Sequence, residues 1–296
     1  MKLLISGANG QVGWELSRQA KYYDFECVSF NRNEMDITNH AKLIEKLRTE
    51  KPNIFINAAA YTAVDNAEKE KDIALEVNSN AVHNIAQLCQ EQSIFLIHIS
   101  TDYVFSGSQI KPYIESDGTN PLNVYGKTKL EGEDYIRSTI NNHIILRTSW
   151  VFGIHGKNFL KTIIRLAHEG QNIRVVNDQF GSPTSARSIA ETILSICEQY
   201  RVDRKLQFGT YHYSGIPIST WYSFAKKVLD VAFDSQYLES IPRIEAVTSN
   251  QYITLSKKPI NSSLSCNKIE KVFKIKRSDW EKDIHLVINS LKDNIQ

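Results

Sequence analysis

Short apolar runs alternate with amphipathic segments along roughly the first two thirds of the chain. Runs that predict strands cover Lys2 to Ser6, Phe25 to Phe30, Ile54 to Ile56, Ile94 to Ile99, Ile144 to Leu146, and Gly209 to Tyr213. The segments between most of these runs carry apolar residues at helical spacing. Strands that alternate with helices in this way form a parallel sheet covered by helices on both faces. We therefore predict an α/β fold with a doubly wound parallel sheet.

The alternation loosens after the strand predicted at Ile144 to Leu146. Further helices are predicted at Asn158 to His168, Ala186 to Tyr200, Trp221 to Val231 and near Trp280 to Leu291, with a strand-like run at Ile244 to Val247. We predict one domain over residues 1–150 plus about 186–214, built around the main sheet. A smaller C-terminal α/β domain covers residues 151–185 plus about 215–296.

A glycine-rich turn follows the first predicted strand and opens the first predicted helix. Its glycines are Gly7, Gly10 and Gly13, in the pattern G-x-x-G-x-x-G. Such a turn lets a pyrophosphate approach the backbone closely at the positive end of a helix, which is typical of a Rossmann-type dinucleotide site. The commonest fingerprint has the spacing G-x-G-x-x-G, and a glycine turn that binds nothing is the alternative interpretation.

The end of the second predicted strand bears on the choice of dinucleotide. NAD sites usually place an acid there for the ribose 2′-hydroxyl, whereas an arginine nearby accommodates a 2′-phosphate. This chain has Asn31 followed by Arg32. We therefore expect NADPH, with NADH as the alternative if the arginine is only a solvated loop residue.

Tyr125 and Lys129 lie four residues apart in a segment that reads as helical through about Tyr135. Four residues on a helix bring two side chains to one face, and a nearby ammonium lowers the pKa of a phenol. Tyr125 could then exchange a proton with a carbonyl oxygen, with Thr101 as a second hydroxyl donor. On spacing alone, a surface tyrosine beside a solvated lysine is the commoner explanation. The polar clusters at 7–13, 57–62 and 101–102 all follow apolar runs, so they converge at one edge of the sheet and favour the catalytic interpretation.

Composition narrows the classes of function. The chain has 296 residues and a formal net charge of +2, which argues against a nucleic-acid-binding tail. Its cysteines, Cys27, Cys89, Cys197 and Cys266, show no paired spacing, and its eight histidines are dispersed, so we expect reduced thiols and no metal site. The N-terminus enters a strand without room for a signal peptide, and no apolar run has membrane-spanning length. We expect a cytoplasmic protein that acts on a small molecule, without nucleic acid or membrane partners.

Taken together, these motifs resemble the extended short-chain dehydrogenase/reductases. The resemblance rests on the glycine turn at 7–13, the strand end at 57–60, Ser100 to Phe105, and the spacing Tyr125-x-x-x-Lys129. More narrowly, the chain is similar to the branch of that family that reduces dTDP-linked 4-keto-6-deoxyhexoses. The narrower blocks are Gln11 to Leu16, Ala63 to Glu68, Pro121 to Gly126, Arg147 to Val151 and Asn177 to Thr184.

The resemblance implies NADPH-dependent reduction of the C4 ketone of dTDP-4-dehydro-L-rhamnose to dTDP-L-rhamnose. It implies an NADP-binding Rossmann domain and a nucleotide-sugar domain, with Tyr125, Lys129 and Thr101 as catalytic residues. Thr101, Asp102 and Trp150 would contact the substrate. The residues implied to contact the cofactor are Gly7, Asn9, Gly10, Gln11, Val12, Asn31, Arg32, Asp36, Ile37, Ala60, Tyr61, Thr62, Ile99, Tyr125 and Lys129.

Several alternatives stay open at this point. The last third of the chain matches mainly through Lys258-Pro259-x-x-Ser262, where the family more often has arginine before the proline. The substrate could therefore be another nucleotide-linked 4-keto sugar. Relatives also include non-catalytic regulatory subunits of methionine adenosyltransferase. Some members bind magnesium through glutamates at a subunit interface. This chain has Glu15 at the first of these positions but Arg187 at the second, so we expect no metal. A homodimer is one open alternative for the assembly.

Overall fold

The computed structural model describes residues 1–293. The strands are β1 Lys2–Ser6, β2 Glu26–Phe30, β3 Ile54–Asn57, β4 Phe95–Thr101, β5 His143–Thr148, β6 Val151–Phe152, β7 Ile173–Val176, β8 Phe180–Gly181, β9 Thr184–Ser185, β10 Gly209–His212, β11 Ser219–Thr220 and β12 Ile244–Val247. The α-helices are α1 Gln11–Gln19, α2 His40–Glu50, α3 Val64–Ala67, α4 Lys71–Leu75, α5 Ala81–Glu91, α6 Val124–Thr139, α7 Phe159–His168, α8 Ala186–Val202, α9 Trp221–Asp234, α10 Asn267–Phe273 and α11 Trp280–Asp293.

Six strands form one parallel sheet in the order β10-β5-β4-β3-β1-β2. Its strands are nearly continuous apolar runs because both faces are covered by helices. In β1, Leu3 and Ile5 face a core shared with α1 and α8, while Leu4 faces a core shared with α2 and α5. The predicted doubly wound α/β fold is confirmed, and the strand predicted at Gly209 to Tyr213 joins the sheet as β10.

The second half of the chain has a separate apolar core. It is built from α7, α9, α11 and β7, and it includes Phe152, Phe224 and Trp280. Strands β7 and β12 pair in parallel in this part, apart from the main sheet. We propose that this core marks the smaller C-terminal domain, with α8 and β10 belonging to the sheet domain. The helix α10 packs on the sheet core through Ile269 and Phe273, although it lies inside the range 215–296 assigned to the smaller domain.

The helix predicted to end near Tyr135 continues to Thr139. Ile136 on this extension and Ile140 directly after it pack into the core between α5 and the sheet, so burial sustains the helix beyond the polar surface pattern. Residues Glu76–Asn80 between α4 and α5 form a π-helical segment. Within residues 1–293, no helix combines the length and apolarity needed to cross a membrane.

Candidate active site

A cavity of about 520 Å³ opens at the carboxyl ends of the central strands. The glycine turn after β1, the end of β3, the end of β4 and the start of α6 all border it. This is the crevice in which open α/β sheets bind their ligands. The expected site residues that line it are Asn9, Gly10, Gln11, Val12, Ala60, Thr62, Ile99, Thr101, Asp102, Tyr125, Lys129 and Trp150.

The glycine turn is shaped by close backbone contacts. Gly7 has φ +74°, and a Cβ on it would lie 2.7 Å from the Ala59 nitrogen at the end of β3. A Cβ on Gly13 would lie 2.1 Å from the Gly7 carbonyl oxygen, so α1 can begin directly against the turn only because both residues are glycine. Gly10 is the N-cap of α1, and the first residues of the helix line the cavity. The N-terminal end of a helix carries partial positive charge. This cradle fits the pyrophosphate of a dinucleotide.

Helix α6 brings Tyr125 to the cavity in its first turn. Asn123 caps the helix by accepting a hydrogen bond from the Gly126 amide at 2.8 Å, and Glu68 accepts one from the Val124 amide at 2.9 Å. The Tyr125 ring meets the Tyr103 ring edge-on at a centroid distance of 5.9 Å. These contacts fix the backbone on both sides of the phenol.

Burial controls the acidity of the Tyr125 phenol in this structure. It raises the pKa of Tyr125 to about 12, and the neighbouring Thr101 hydroxyl opposes this rise. The expected lowering of this pKa by Lys129 is not found, because the amine of Lys129 has other partners. Lys129 Nζ lies 2.9 Å from His98 Nε2 and donates to the Ile99 carbonyl oxygen at 2.8 Å. Burial lowers the pKa of Lys129 itself to about 8.

Asp102 and Thr148 bring two buried oxygens without partners to the cavity. The hydroxyl of Thr101 donates to Asp102 Oδ1 at 3.0 Å, but Asp102 Oδ2 and Thr148 Oγ1 have no hydrogen-bond partner within residues 1–293. Burial raises the pKa of Asp102 to about 7. Because unpartnered buried polar atoms are rare, this pair indicates where a polar ligand binds.

Trp150 forms an aromatic wall together with Trp221. The two indole rings stack at a centroid distance of 3.6 Å, and both line the cavity. Trp150 has φ +48°, an uncommon backbone conformation for a bulky residue, and its ring lies against the backbone of Gly181. The expected substrate contact Trp150 is therefore held rigidly from both sides.

Six expected cofactor contacts lie outside the cavity lining. Gly7 packs closely against the backbone of Ala58 and Ala59, and Ile37 is buried in the core with α2. Arg32 is exposed and pairs with Asp36 at 3.3 Å. Asn31 directly follows β2. The carbonyl oxygen of Phe30, the last residue of β2, accepts a hydrogen bond from the Ala8 amide of the glycine turn. Tyr61 turns its hydroxyl away to Glu70 at 2.6 Å.

The loop between β6 and α7 is the main part of the site that sequence reasoning missed. Asn158 Nδ2 donates to Gln11 Oε1 at 2.9 Å, and His155 Nε2 lies 3.0 Å from the Asn9 carbonyl oxygen. These bonds place Lys157 at the cavity. The loop carries no recognisable pattern of its own. The lining residues not singled out for the site are Ala58, Val64, Ser100, Tyr103, Thr148, Ser149, Val151, Gly156, Lys157, Asn158 and Trp221.

Comparison with known proteins decides the family. The model of the family described as "RmlD substrate binding domain" matches residues 1–293. The dTDP-4-dehydrorhamnose reductase of Aggregatibacter actinomycetemcomitans is 41% identical over 282 residues, which are 95% of this chain and 96% of that protein. The chain belongs to the dTDP-4-dehydrorhamnose reductase family.

Solved structures agree with membership of the dTDP-4-dehydrorhamnose reductase family. The reductase of Bacillus anthracis str. Ames, solved in complex with NADP, aligns with a TM-score of 0.90 at 32% identity, over 98% of this chain and 99% of that one. A UDP-glucose 4-epimerase from Thermus thermophilus, solved with NAD, aligns with a TM-score of 0.82 over 99% of each chain. At 15% identity, that likeness shows the shared fold alone.

Proposed function

We propose that this protein is an NADPH-dependent oxidoreductase that reduces the C4 ketone of dTDP-4-dehydro-L-rhamnose to dTDP-L-rhamnose. Membership of the dTDP-4-dehydrorhamnose reductase family supports this activity. The observation that carries the proposal is the position of the Tyr125 phenol. It lies in the same cavity as Thr101 and Lys129 and faces the crevice that begins at the glycine turn.

The cofactor site is formed by the glycine turn and the first turn of α1. Asn9, Gly10, Gln11 and Val12 would hold the pyrophosphate, with Asn31 and Arg32 toward the adenosine ribose. The arginine and the NADP bound by the Bacillus anthracis reductase both favour NADPH over NADH. When bound, the reduced nicotinamide supplies the hydride that is added to the C4 carbonyl carbon.

Tyr125 and Thr101 act on the carbonyl oxygen of the substrate. The phenol donates its proton to the alkoxide that develops at C4, and the Thr101 hydroxyl lies beside the phenol to stabilise the same charge. Lys129, as an ammonium, would hold the ribose and stabilise the phenolate that remains. Asp102 and the Trp150 ring would bind the sugar, since both line the cavity and Asp102 Oδ2 has no other partner in residues 1–293.

We also propose a cytoplasmic location, because all four cysteines are free thiols, as expected in a reducing compartment. A homodimer stays one open alternative for the assembly.

Oxidation of NADPH with different sugar nucleotides tests the substrate. We expect turnover with dTDP-4-dehydro-L-rhamnose and much slower turnover with UDP-linked 4-keto sugars, measured by the loss of absorbance of NADPH. Equal or faster turnover with a UDP-linked substrate would replace the proposed substrate. No turnover with any 4-keto sugar, despite NADPH binding, would favour a binding module such as a regulatory subunit.

Replacing the phenol tests the proton donor. We expect Tyr125→Phe to bind NADPH normally but to lose about 10²–10⁴-fold in kcat, because general acid catalysis contributes on that order. Tyr135→Phe is the matched control, since Tyr135 lies on the same helix but stacks on His83 outside the cavity. Unchanged turnover in Tyr125→Phe would remove Tyr125 from the mechanism.

A further inference from the structure

Four buried side chains form a continuous hydrogen-bonded chain behind the active site. It runs across β1, β3 and β4 to helix α6. The Ser6 hydroxyl donates to Asn57 Oδ1 at 2.7 Å, Asn57 Nδ2 lies 3.1 Å from His98 Nδ1, and His98 Nε2 lies 2.9 Å from Lys129 Nζ. All four side chains are almost fully buried. The proposed reaction so far uses only Lys129.

The direction of the bonds is fixed at Asn57. Its Oδ1 also accepts from the backbone N–H of Ala59 at 3.2 Å, and a backbone N–H can only donate. The amide of Asn57 therefore cannot be reversed without setting an NH₂ group against the N–H of Ala59. Its NH₂ group consequently faces His98, and Nδ1 of His98 must be the acceptor.

The state of His98 follows from its burial. Complete burial and the nearby Lys129 hold the pKa of His98 well below its ordinary value, so the ring is neutral and carries one N–H. Because Nδ1 accepts from Asn57, that N–H is on Nε2 and points at Lys129 Nζ. A neutral amine can accept this bond while donating to the Ile99 carbonyl oxygen, whereas an ammonium has no lone pair with which to accept.

We infer that His98 presents its Nε2–H to the Lys129 amine, and that Asn57, by fixing this tautomer, sets the pH range over which Lys129 carries a proton. His98 is thus a positioning residue that acts through Lys129. Protonation of Lys129 requires the His98 proton to move to Nδ1, against the NH₂ group of Asn57.

Other charges around Lys129 do not replace this control. Glu133 and Tyr125 lie on the same helix, and Asp102 and Tyr103 follow β4. Glu133 favours the ammonium, but its carboxylate is already bound by Arg147 of β5 at 2.7 Å and by Arg137 at 2.9 Å. Asp102, whose pKa is raised to about 7, shares its Oδ1 with Thr101. His98 is therefore the titratable side chain in direct contact with the Lys129 amine.

The first experiment reads the tautomer directly. Protein labelled with ¹⁵N in its histidine rings is studied by NMR, and His98 is assigned by the signals that disappear in His98→Gln. We expect a neutral His98 ring with its proton on Nε2 at pH 9, where Lys129 is an amine, and movement of that proton to Nδ1 as Lys129 becomes protonated at lower pH. A proton on Nδ1 at pH 9, or a cationic ring, would overturn the inference. This readout does not depend on turnover, so it stands apart from the proposed function on which the kinetic consequence rests.

The second experiment changes the tautomer. The carboxylate introduced by Asn57→Asp accepts from Nδ1–H, so Nε2 becomes an acceptor for the Lys129 ammonium. We expect the titration of Lys129, followed by its ¹³Cε resonance, to move up by about 1 pH unit. The alkaline limb of the kcat profile should move with it, because the ammonium is needed to stabilise the phenolate.

Ser6→Ala is the control, since it shortens the chain of bonds without touching the Asn57–His98 contact. We expect its Lys129 titration to match the parent protein. An unchanged titration in Asn57→Asp, or an equal shift in Ser6→Ala, would contradict the inference. If Asn57→Asp does not fold, the tautomer measured in the parent protein decides by itself.

Discussion

Burial shifts three ionisable groups at this site, each toward its uncharged form. The pKa of Asp102 rises to about 7, that of Tyr125 rises to about 12, and that of Lys129 falls to about 8. Water-poor surroundings disfavour charge on any of them. A neutral phenol suits a proton donor, whereas the ammonium form of Lys129 requires additional stabilisation. Burial of these three residues therefore determines which protonation states the reaction can use.

The raised pKa of Asp102 makes stability depend on pH. The folded protein disfavours the ionised carboxylate, so the pKa of Asp102 in the folded state lies above its unfolded value of 3.8. Stability is therefore lost as pH rises from the unfolded pKa toward about 7. Asp102→Asn removes this loss. We expect the gain in unfolding free energy of the variant over the parent to be roughly 2–3 kcal/mol larger at pH 8 than at pH 5, measured by urea denaturation. A gain that is the same at both pH values would mean that Asp102 ionises normally.

At the scale of the element, the position of the catalytic phenol depends on how closely α6 packs. A Cβ on Gly126 would lie 2.2 Å from the Tyr103 carbonyl oxygen, so the first turn of α6 rests directly on the backbone that follows β4. That same backbone carries Thr101 and Asp102. The spacing between donor and substrate contacts is thus fixed by backbone contact and not by flexible side chains.

Adding one methyl group at this contact tests that dependence. We expect Gly126→Ala to push α6 away from Tyr103, costing about 1–3 kcal/mol of stability and lowering kcat at least tenfold, since small displacements of a catalytic group are costly. Gly118→Ala is the control, because a Cβ there meets no atom within 4 Å. Thermal unfolding and turnover are measured on both. Wild-type turnover in Gly126→Ala would show that the spacing tolerates the shift.

At the scale of the whole molecule, residues 248–259 tie the two cores together. At one end, the Ser249 amide and hydroxyl donate to Asp178, near β8. At the other end, the Ser256 amide and hydroxyl donate to Asp65 of α3 at 3.1 and 2.6 Å, and Asn123 donates to the Lys257 carbonyl oxygen. The segment thereby reaches the cap of α6 from the second core.

Removing the Asp65 carboxylate should release that end of the segment. The pKa of Asp65 is lowered, with hydrogen bonds from Ser256 and the charge of Lys258 outweighing burial, so the acid is ionised and bound at pH 7. We expect Asp65→Ala to speed amide hydrogen exchange across residues 249–258 by about tenfold, the loss of about 1.4 kcal/mol of local protection. Asp72→Ala, at an exposed acid on α4, serves as the control. Unchanged exchange in Asp65→Ala would show that other contacts hold the segment.

The sequence by itself determined the sheet and one edge of the site. Local patterns were sufficient there: apolar runs of strand length, the glycine turn, and a tyrosine and lysine one helical turn apart. Because the carboxyl ends of parallel strands meet at one edge, Gly10, Thr101, Asp102 and Tyr125 could be placed together from the chain order alone. The structure brings these four to one cavity.

Only the tertiary structure decided which groups touch. Trp221 stacks on Trp150 across 71 positions of sequence, and the loop with Asn158 reaches back to Gln11. Lys129 was expected to act on Tyr125, its neighbour on the helix, but its amine bonds to His98 and Ile99 on a different element. Periodicity reports which face of an element is buried, whereas the partner of a buried polar group depends on how separate elements pack, which no local pattern encodes.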